Sequence, residues 1–200
     1  MININAITSK QKLTIAKGLL DYQYIMQNWE TNSADFQEVY YNFYLKARWS
    51  VMKKPNNYNP YFNELKNINP NANLISVIID LKNAMAHKSF EFSLSSKLLH
   101  TRNPNSPIYD SKVRKYLSQQ ENVDFWWGQG TKKSYRSGVQ KNITEQEKIR
   151  HDWENLCNWY TGILGSPRGK SWINWFDNNF PNHKNISDVK KIDFIIFATT

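Results

Sequence analysis

The chain has a single cysteine, Cys157, and only four histidines. One cysteine cannot form an internal disulfide, and it excludes both a four-thiolate zinc site and a cysteine-held iron–sulfur cluster. The histidines show no spacing typical of metal ligands, since they are scattered as His87, His100, His151 and His183. We therefore expect neither a metal ion nor another cofactor.

Glycine, proline and long apolar runs are also scarce. Seven glycines and seven prolines in 200 residues favour a helix-rich chain over a sandwich of many tight turns. No apolar run approaches the about 18 residues of a membrane span, and the first residues, MININAITSKQKL, lack the basic-then-apolar order of a signal peptide. These absences predict a soluble, cytoplasmic protein, and the length suits one domain over residues 1–200.

Hydrophobic periodicity predicts most of this domain to be α-helical. The aromatic face of the second helix carries Phe36, Tyr40, Phe43, Tyr44 and Trp49. The segment from Glu121 to Asn142 has no regular pattern. The predicted helices are 9–29, 35–53, 60–67, one within 69–86, two short pieces within 93–117, 144–162, 170–178, and a last helix capped by Ser187 or Asp188.

Basic charge is abundant and unevenly spread. The net charge is +9, and the stretch from Lys82 to Lys141 holds eleven Lys or Arg against four acids, a balance of +7. Aromatic residues, including eight Trp and eleven Tyr, interleave with this charge. Basic patches mixed with aromatics are typical of nucleic-acid binding, although a solvated basic surface has the same composition.

Two motif-like patterns do not support the chemistry that they suggest. The segment GSPRGKS has three residues between Gly165 and Gly169, whereas a phosphate-binding P-loop needs four and follows a buried strand. The sequence before it predicts a helix. A Ser/His/Asp hydrolase is not supported either, because no G-x-S-x-G elbow is present. Both a nucleotide-hydrolysing site and a catalytic triad are set aside.

Asp110 is the residue that most needs an explanation. It directly precedes a predicted helix, where its carboxylate would cap free backbone N–H groups. Its neighbourhood, however, is basic, with Lys97, Arg102, Lys112, Arg114 and Lys115 within thirteen residues. A carboxylate repels phosphate on a DNA-binding surface. One task that would offset this repulsion is stabilising the positive sugar that forms when a base is cleaved from DNA.

The stretch SSKLLHTRNPNSPIYDSKV, residues 95–113, resembles the aspartate loop of the HhH-GPD superfamily of DNA glycosylases. In that superfamily a helix-hairpin-helix is followed by a Gly/Pro loop and a catalytic aspartate before the next helix. Pro107, Asp110 and Val113 match this pattern, and the C-terminal VKKIDFIIFAT is similar to the closing helix of small bacterial members. The resemblance implies a compact, two-lobed helical bundle with its cleft near residues 87–130.

The resemblance also implies an activity and a set of site residues. We expect a monomeric, monofunctional DNA glycosylase that flips a modified or damaged base out of duplex DNA, in repair or in defence against phage. Asp110 is the expected catalytic carboxylate, and Lys97 is the candidate for a catalytic lysine, a role that only a bifunctional member would use. Expected DNA contacts are Lys88, Ser89, Arg102, Lys112, Arg114 and Lys115, and the expected base-pocket residues are Trp126, Trp127 and Tyr41.

The chain departs from the family pattern at two places. The hairpin position, HKSFEF at residues 87–92, has no glycine, so Lys88 and Ser89 would replace amides that approach a phosphate. Bifunctional members use a lysine that forms a Schiff base with the sugar about eighteen residues before the aspartate, whereas Lys97 lies thirteen before Asp110. We favour Lys97 as a phosphate contact.

Two other functions remain open at this point. A non-catalytic protein on the same scaffold would recognise DNA structure or a modified base. A protein-interaction or toxin-type module would instead use its positive charge to meet an acidic partner.

Overall fold

A computed structural model of the chain describes residues 2–45, 58–85, 90–127, 133–136 and 139–200. The fold is mostly α-helical. Its elements in chain order are α1 Ser9–Asn28, α2 Ala34–Tyr40, α3 Tyr58–Asn67, α4 Leu74–Ala84, α5 Phe92–Arg102, α6 Ser111–Gln120, β1 Lys133–Arg136, β2 Val139–Asn142, α7 Glu145–Gly165, α8 Pro167–Asn179 and α9 Asp188–Thr199.

The predicted helices of the described chain are confirmed, with ends that shift by a few residues. Polar caps set several starts: Thr8 forms a capping box with Gln11, and Thr144 forms one with Glu147. The helix expected at 35–53 is α-helical only to Tyr40 and then forms a π-helical turn, Tyr41–Leu45. Its remaining residues lie outside the described part.

The segment expected to be irregular contains a small β-hairpin. Strand β1 pairs antiparallel with β2, and Lys133 lies opposite Asn142. The two strands are four residues long and largely polar, so they lack the apolar alternation by which a half-buried strand is predicted.

The core is formed around the last helix. Every residue of α9 from Val189 to Ile196 is buried, and the helix packs against α1, α6, α7 and α8. Lys191 forms two ion pairs: its Nζ lies 3.0 Å from a carboxylate oxygen of Asp177 in α8 and 2.9 Å from one of Asp188. A helix buried on all sides and carrying three charged residues there, Lys190, Lys191 and Asp193, needs such partners.

Two apolar stripes behave differently. The apolar residues that recur at helical spacing along α4 and at its end, Leu74, Val77, Ile78, Leu81 and Met85, are all buried. On α1, Ile15 and Leu19 are buried, but Leu13 and Leu20 are 56% and 64% exposed. Tyr22 and Ile25 lie on the same buried side of α1 as Ile15 and Leu19, whereas Leu13 and Leu20 lie on its exposed side.

The GSPRGKS segment forms the corner between α7 and α8. Ser166 caps α8 by accepting a hydrogen bond from the N–H of Gly169. A Cβ atom on Gly169 would lie 1.9 Å from the carbonyl oxygen of Ile163, so only glycine fits. A helix precedes the corner, as predicted, and close packing explains the glycine.

Two features are absent from the described residues, a membrane-spanning helix and a cluster of metal ligands. None of the described helices combines the length and the apolar character that crossing a bilayer requires. Within the same ranges, no three His, Cys, Asp or Glu residues come together as metal ligands would.

Candidate functional site

The loop from Asn103 to Asp110 is held in place by polar residues of α5. The carbonyl of Ser106 accepts a hydrogen bond of 2.6 Å from Nδ1 of His100, and Ser96 Oγ accepts the N–H of Tyr109 at 3.0 Å. From α9, the hydroxyl of Ser187 donates to the carbonyl of Pro104. The polar, buried face of α5 therefore positions the loop that ends in Asp110.

His100 performs this task as a neutral imidazole. It is fully buried, and burial, with a further effect from the positive charge of Lys190, lowers its pKa to about 3. Because Nδ1–H donates to Ser106, Nε2 is the unprotonated nitrogen and accepts from the hydroxyl of Tyr22 at 3.1 Å. The histidine thus joins the aspartate loop to α1.

Asp110 caps α6, as its sequence position predicts. Its Oδ1 accepts the N–H of Lys112 at 2.8 Å. The half-buried carboxylate also borders a cavity, and its charge affects the pKa values of nearby ionisable groups. Burial is the main cause of the raised pKa of Asp193 and of Tyr160, and the charge of Asp110 adds to both shifts.

The cavity has a volume of about 550 Å³, within the range of about 300–1,000 Å³ that is usual for small-molecule sites. It is lined by α1, the π-helical turn, α5, the aspartate loop, α6 and α9. Its charged and aromatic lining residues include Asp21, Phe43, Tyr44, Lys97, Asp110, Lys190, Asp193 and Phe194. Residues 97–113 thus form one wall of it, and the other walls come from outside the 87–130 region.

Lys97 lines the same cavity as Asp110. Its side chain is buried, at 4% exposure, and its Nζ donates to the hydroxyl of Ser93 one helical turn earlier, at 3.1 Å. A lysine in this position faces the cavity rather than the outer surface. It supplies positive charge inside the site.

Lys190 and Asp193 form a buried charged pair in the cavity wall. Nζ of Lys190 lies 3.8 Å from Oδ2 of Asp193, and each side chain is 7% exposed. The hydroxyl of Tyr160 donates to Oδ1 of Asp193. Burial lowers the pKa of Lys190, against the opposing carboxylates of Asp193 and Asp110, and burial raises the pKa of Asp193 to about 6.

The two tryptophans expected in the base pocket lie elsewhere. The described walls of the cavity include neither Trp126 nor Trp127. Their backbone N–H groups donate to the buried carboxylate of Asp152, at 2.6 and 2.9 Å, and the Trp126 ring stacks on His151 with centroids 3.5 Å apart. Asp152 also accepts the hydroxyl of Tyr109 at 2.9 Å. The tryptophan segment therefore supports the aspartate loop from behind.

The third expected pocket residue, Tyr41, begins the π-helical turn and is also absent from the described walls. Its neighbours Phe43 and Tyr44 line the cavity instead. The π-helical turn changes which residues share a face, and a 3.6-residue period does not predict it.

The residues expected to contact DNA occupy different places. Lys112 and Lys115 are exposed on α6, and Nζ of Lys112 donates to the carbonyl of Phe197, a cavity residue. Arg114 is half-buried and donates to the carbonyl of Trp127 at 2.8 Å. Lys88 and Ser89 lie outside the described residues.

Arg102 is used within the fold. Its guanidinium lies 3.7 Å from the ring centroid of Trp29, and its Nε donates to the carbonyl of Ile68 at 3.0 Å. These contacts join the end of α5 to α1 and to the segment after α3. The side chain therefore has a structural role in this conformation.

The cavity residues that the sequence analysis did not single out include Lys190, Asp193 and Phe194 of α9. The signal for them is the charge pattern of SDVKKIDFIIF, where Lys190 and Asp193 are one turn apart in an otherwise apolar helix. Buried charges in such a helix are kept by partners or by function.

No protein-family description, curated protein or solved structure matches this chain. The site must therefore be interpreted from its own geometry.

Proposed function

We propose that the protein is a monofunctional DNA glycosylase of the HhH-GPD type, and that Asp110 is its catalytic carboxylate. The observation that carries the proposal is the position of Asp110: its carboxylate borders a cavity of about 550 Å³ that Lys97, Lys190 and aromatic rings also line. A plain helix cap needs no such cavity.

The chemistry follows from the charge that develops during the reaction. When the N-glycosidic bond breaks, positive charge accumulates on the deoxyribose and negative charge on the leaving base. Asp110 stabilises the sugar cation and orients the attacking water. Its N-cap hydrogen bond to Lys112 fixes the carboxylate in place, so that no reorientation is needed at the moment of reaction.

The base must leave the duplex to reach this cavity. Phe43, Tyr44 and Phe194 in its wall provide flat apolar surfaces for a flipped base. Lys112 and Lys115 on the exposed face of α6 supply positive charge for the phosphates on either side, within a chain whose net charge is +9.

The order of elements is consistent with the same scaffold. Helices α4 and α5 pack together, and α5 is followed by the proline-containing loop and by Asp110 at the start of α6. This order matches the helix-hairpin-helix and aspartate loop that the resemblance implies. The burial of Lys97 favours a role inside the cavity over contact with a surface phosphate.

The test is incubation of the protein with duplexes that each carry one modified base, followed by alkali to cleave abasic sites. We expect alkali-dependent strand breaks at one or more of these bases. Breaks without alkali would contradict the monofunctional part of the proposal and would assign Lys97 a Schiff-base role. Absence of breaks at every base would contradict glycosylase activity.

A non-catalytic DNA-binding protein is the second candidate. The observation that favours it is the hydrogen bond from Lys112 N–H to Asp110, which gives the carboxylate a complete structural role. Under this alternative, duplex binding would be retained and no base would be released from any substrate.

A further inference from the structure

The inner wall of the cavity contains a cluster in which one lysine is surrounded by aromatic rings. Nζ of Lys190 lies 5.1 Å from the ring centroids of Tyr22 and Phe194, 5.3 Å from that of Tyr44 and 5.4 Å from that of Phe43. At such distances the negative faces of aromatic rings attract a cation. The ammonium group of Lys190 therefore occupies the place where these rings would otherwise attract a cationic ligand.

Lys190 places a buried ammonium group in the cavity wall. Its ion pair with Asp193 is 3.8 Å long, which is beyond hydrogen-bonding distance, and Lys190 lines the cavity wall. On the same wall, the buried hydroxyl of Tyr44 has no hydrogen-bond partner among the described residues. A buried hydroxyl is usually satisfied, so the Tyr44 hydroxyl indicates a ligand group.

Asp193 supplies an acceptor one helical turn away. Its Oδ1 accepts the Tyr160 hydroxyl, and Oδ2 lies on the side of Lys190. The wall thus presents an ammonium donor beside a carboxylate acceptor. A C=O group next to an N–H group, as in the lactam edge of oxopurines and dioxopyrimidines, is complementary to this pair.

The position of the Lys190 ammonium among the aromatic rings makes a further distinction. An N-alkylated base that carries positive charge would meet an ammonium group where it would otherwise contact the aromatic rings. A neutral lactam base instead gains negative charge on its carbonyl oxygen as the glycosidic bond breaks, and a buried ammonium stabilises that oxygen.

Resting on the glycosylase function proposed above, we infer that Lys190 and Asp193 form the base-recognition end of the cavity and select a neutral nucleobase with a lactam edge. Bases of this class include uracil, hypoxanthine and 8-oxoguanine types. Cationic N-alkylated bases and bases with only an amino-substituted edge are rejected. Lys190 also stabilises the negative charge on the leaving base, whereas Asp110 stabilises the positive charge on the sugar.

The direct test is calorimetric titration of the protein with free hypoxanthine and with free adenine, two purines that differ only in this edge. We expect hypoxanthine to bind at least about 10-fold more tightly, the discrimination of one charge-assisted hydrogen bond. Lys190→Met keeps the length and apolar stem of the side chain and should abolish the preference. Lys184→Met, at an exposed lysine outside the cavity, is the matched control and should keep it.

The wild-type comparison stands even if Lys190→Met does not fold. Equal or tighter binding of adenine, or no binding of either purine, would overturn the inference. In duplexes, the wild-type protein should release one or more lactam bases and leave 7-methylguanine in place. This base has a lactam edge but carries a positive charge in DNA, and its preferential release would also contradict the inference.

The same experiments separate the two proposals. Preference for hypoxanthine without release of any base from DNA would reject the glycosylase function and keep the recognition site. Release of bases from DNA without this preference would reject the recognition site and keep the glycosylase function.

Discussion

At the scale of single residues, Asp110 combines two roles that the sequence presents as alternatives. Its Oδ1 caps α6, and the carboxylate also borders the cavity. Both roles follow from one position, because the N-cap of α6 is the point where the loop held by α5 meets the cavity. Sequence reasoning could identify the residue, but the second role depends on groups eighty residues later in the chain, Lys190 and Asp193.

His100 makes the stability of the aspartate loop depend on pH. Its pKa is about 3 in the folded protein, against 6.5 for an exposed histidine. The unfolded chain therefore binds a proton at a higher pH than the folded chain does. The contribution of His100 to stability is complete above pH 6.5 and is lost as the pH falls towards 3.

We expect the free energy of unfolding of the wild-type protein to fall by about 2 kcal/mol more than that of His100→Gln between pH 7 and pH 5. Glutamine does not titrate, so carboxylates that are common to both proteins cancel in the comparison. Urea denaturation at the two pH values measures the difference. Equal pH dependence of the two proteins would show that His100 accepts a proton in the folded state.

At the scale of elements, periodicity and capping residues predicted the helices well, because α1, α4, α7 and α9 each combine a polar N-cap with an apolar stripe. The π-helical turn Tyr41–Leu45 and the hairpin of β1 and β2 were not predicted. Both are short and depend on tertiary contacts that leave no period in the sequence. The sequence did not predict that α9 is buried in the core, because charged residues are typical of a solvent-exposed helix.

The corner between α7 and α8 offers a test of close packing. Gly169→Ala places a Cβ atom against the carbonyl of Ile163, at 1.9 Å before relaxation. We expect this variant to lose at least about 2 kcal/mol of stability, since the obstacle is backbone. Gly162→Ala is the matched control, because its Cβ would meet nothing within 4 Å. It should gain roughly 0.5–1 kcal/mol from helix propensity.

Thermal unfolding of the two variants measures this contrast. If Gly169→Ala were as stable as Gly162→Ala, the corner would have to open without loss of packing. In that case the glycine would need another explanation, and a phosphate-binding loop at GSPRGKS would have to be considered again.

At the scale of the whole molecule, the cavity joins four distant parts of the chain: residues 14–21, 42–44, 97–113 and 190–198. Sequence analysis found the third part through its loop and its charge. It placed the base pocket at Trp126, Trp127 and Tyr41, none of which is among the described walls of the cavity. The backbone N–H groups of both tryptophans donate to Asp152. The walls of a cavity depend on which helices pack together, and local patterns do not contain that information.

The molecule as a whole is also basic, with a net charge of +9, and the cavity contains both signs of charge. Asp21, Asp110 and Asp193 line the same space as Lys97 and Lys190, together with aromatic rings. This arrangement suits a reaction in which a sugar becomes positive while a base becomes negative. Under the proposed function, the surface charge would attract duplex DNA and the cavity would carry out the chemistry.

The most direct test of the catalytic claim is Asp110→Asn, assayed for base release and for duplex binding in the same preparation. Asparagine caps helices as well as aspartate does, so the fold should be kept, and Asp35→Asn at an exposed position of α2 serves as the control. We predict that Asp110→Asn lowers the rate of base release by at least about 100-fold with duplex affinity unchanged. Release at the wild-type rate by Asp110→Asn would contradict the account.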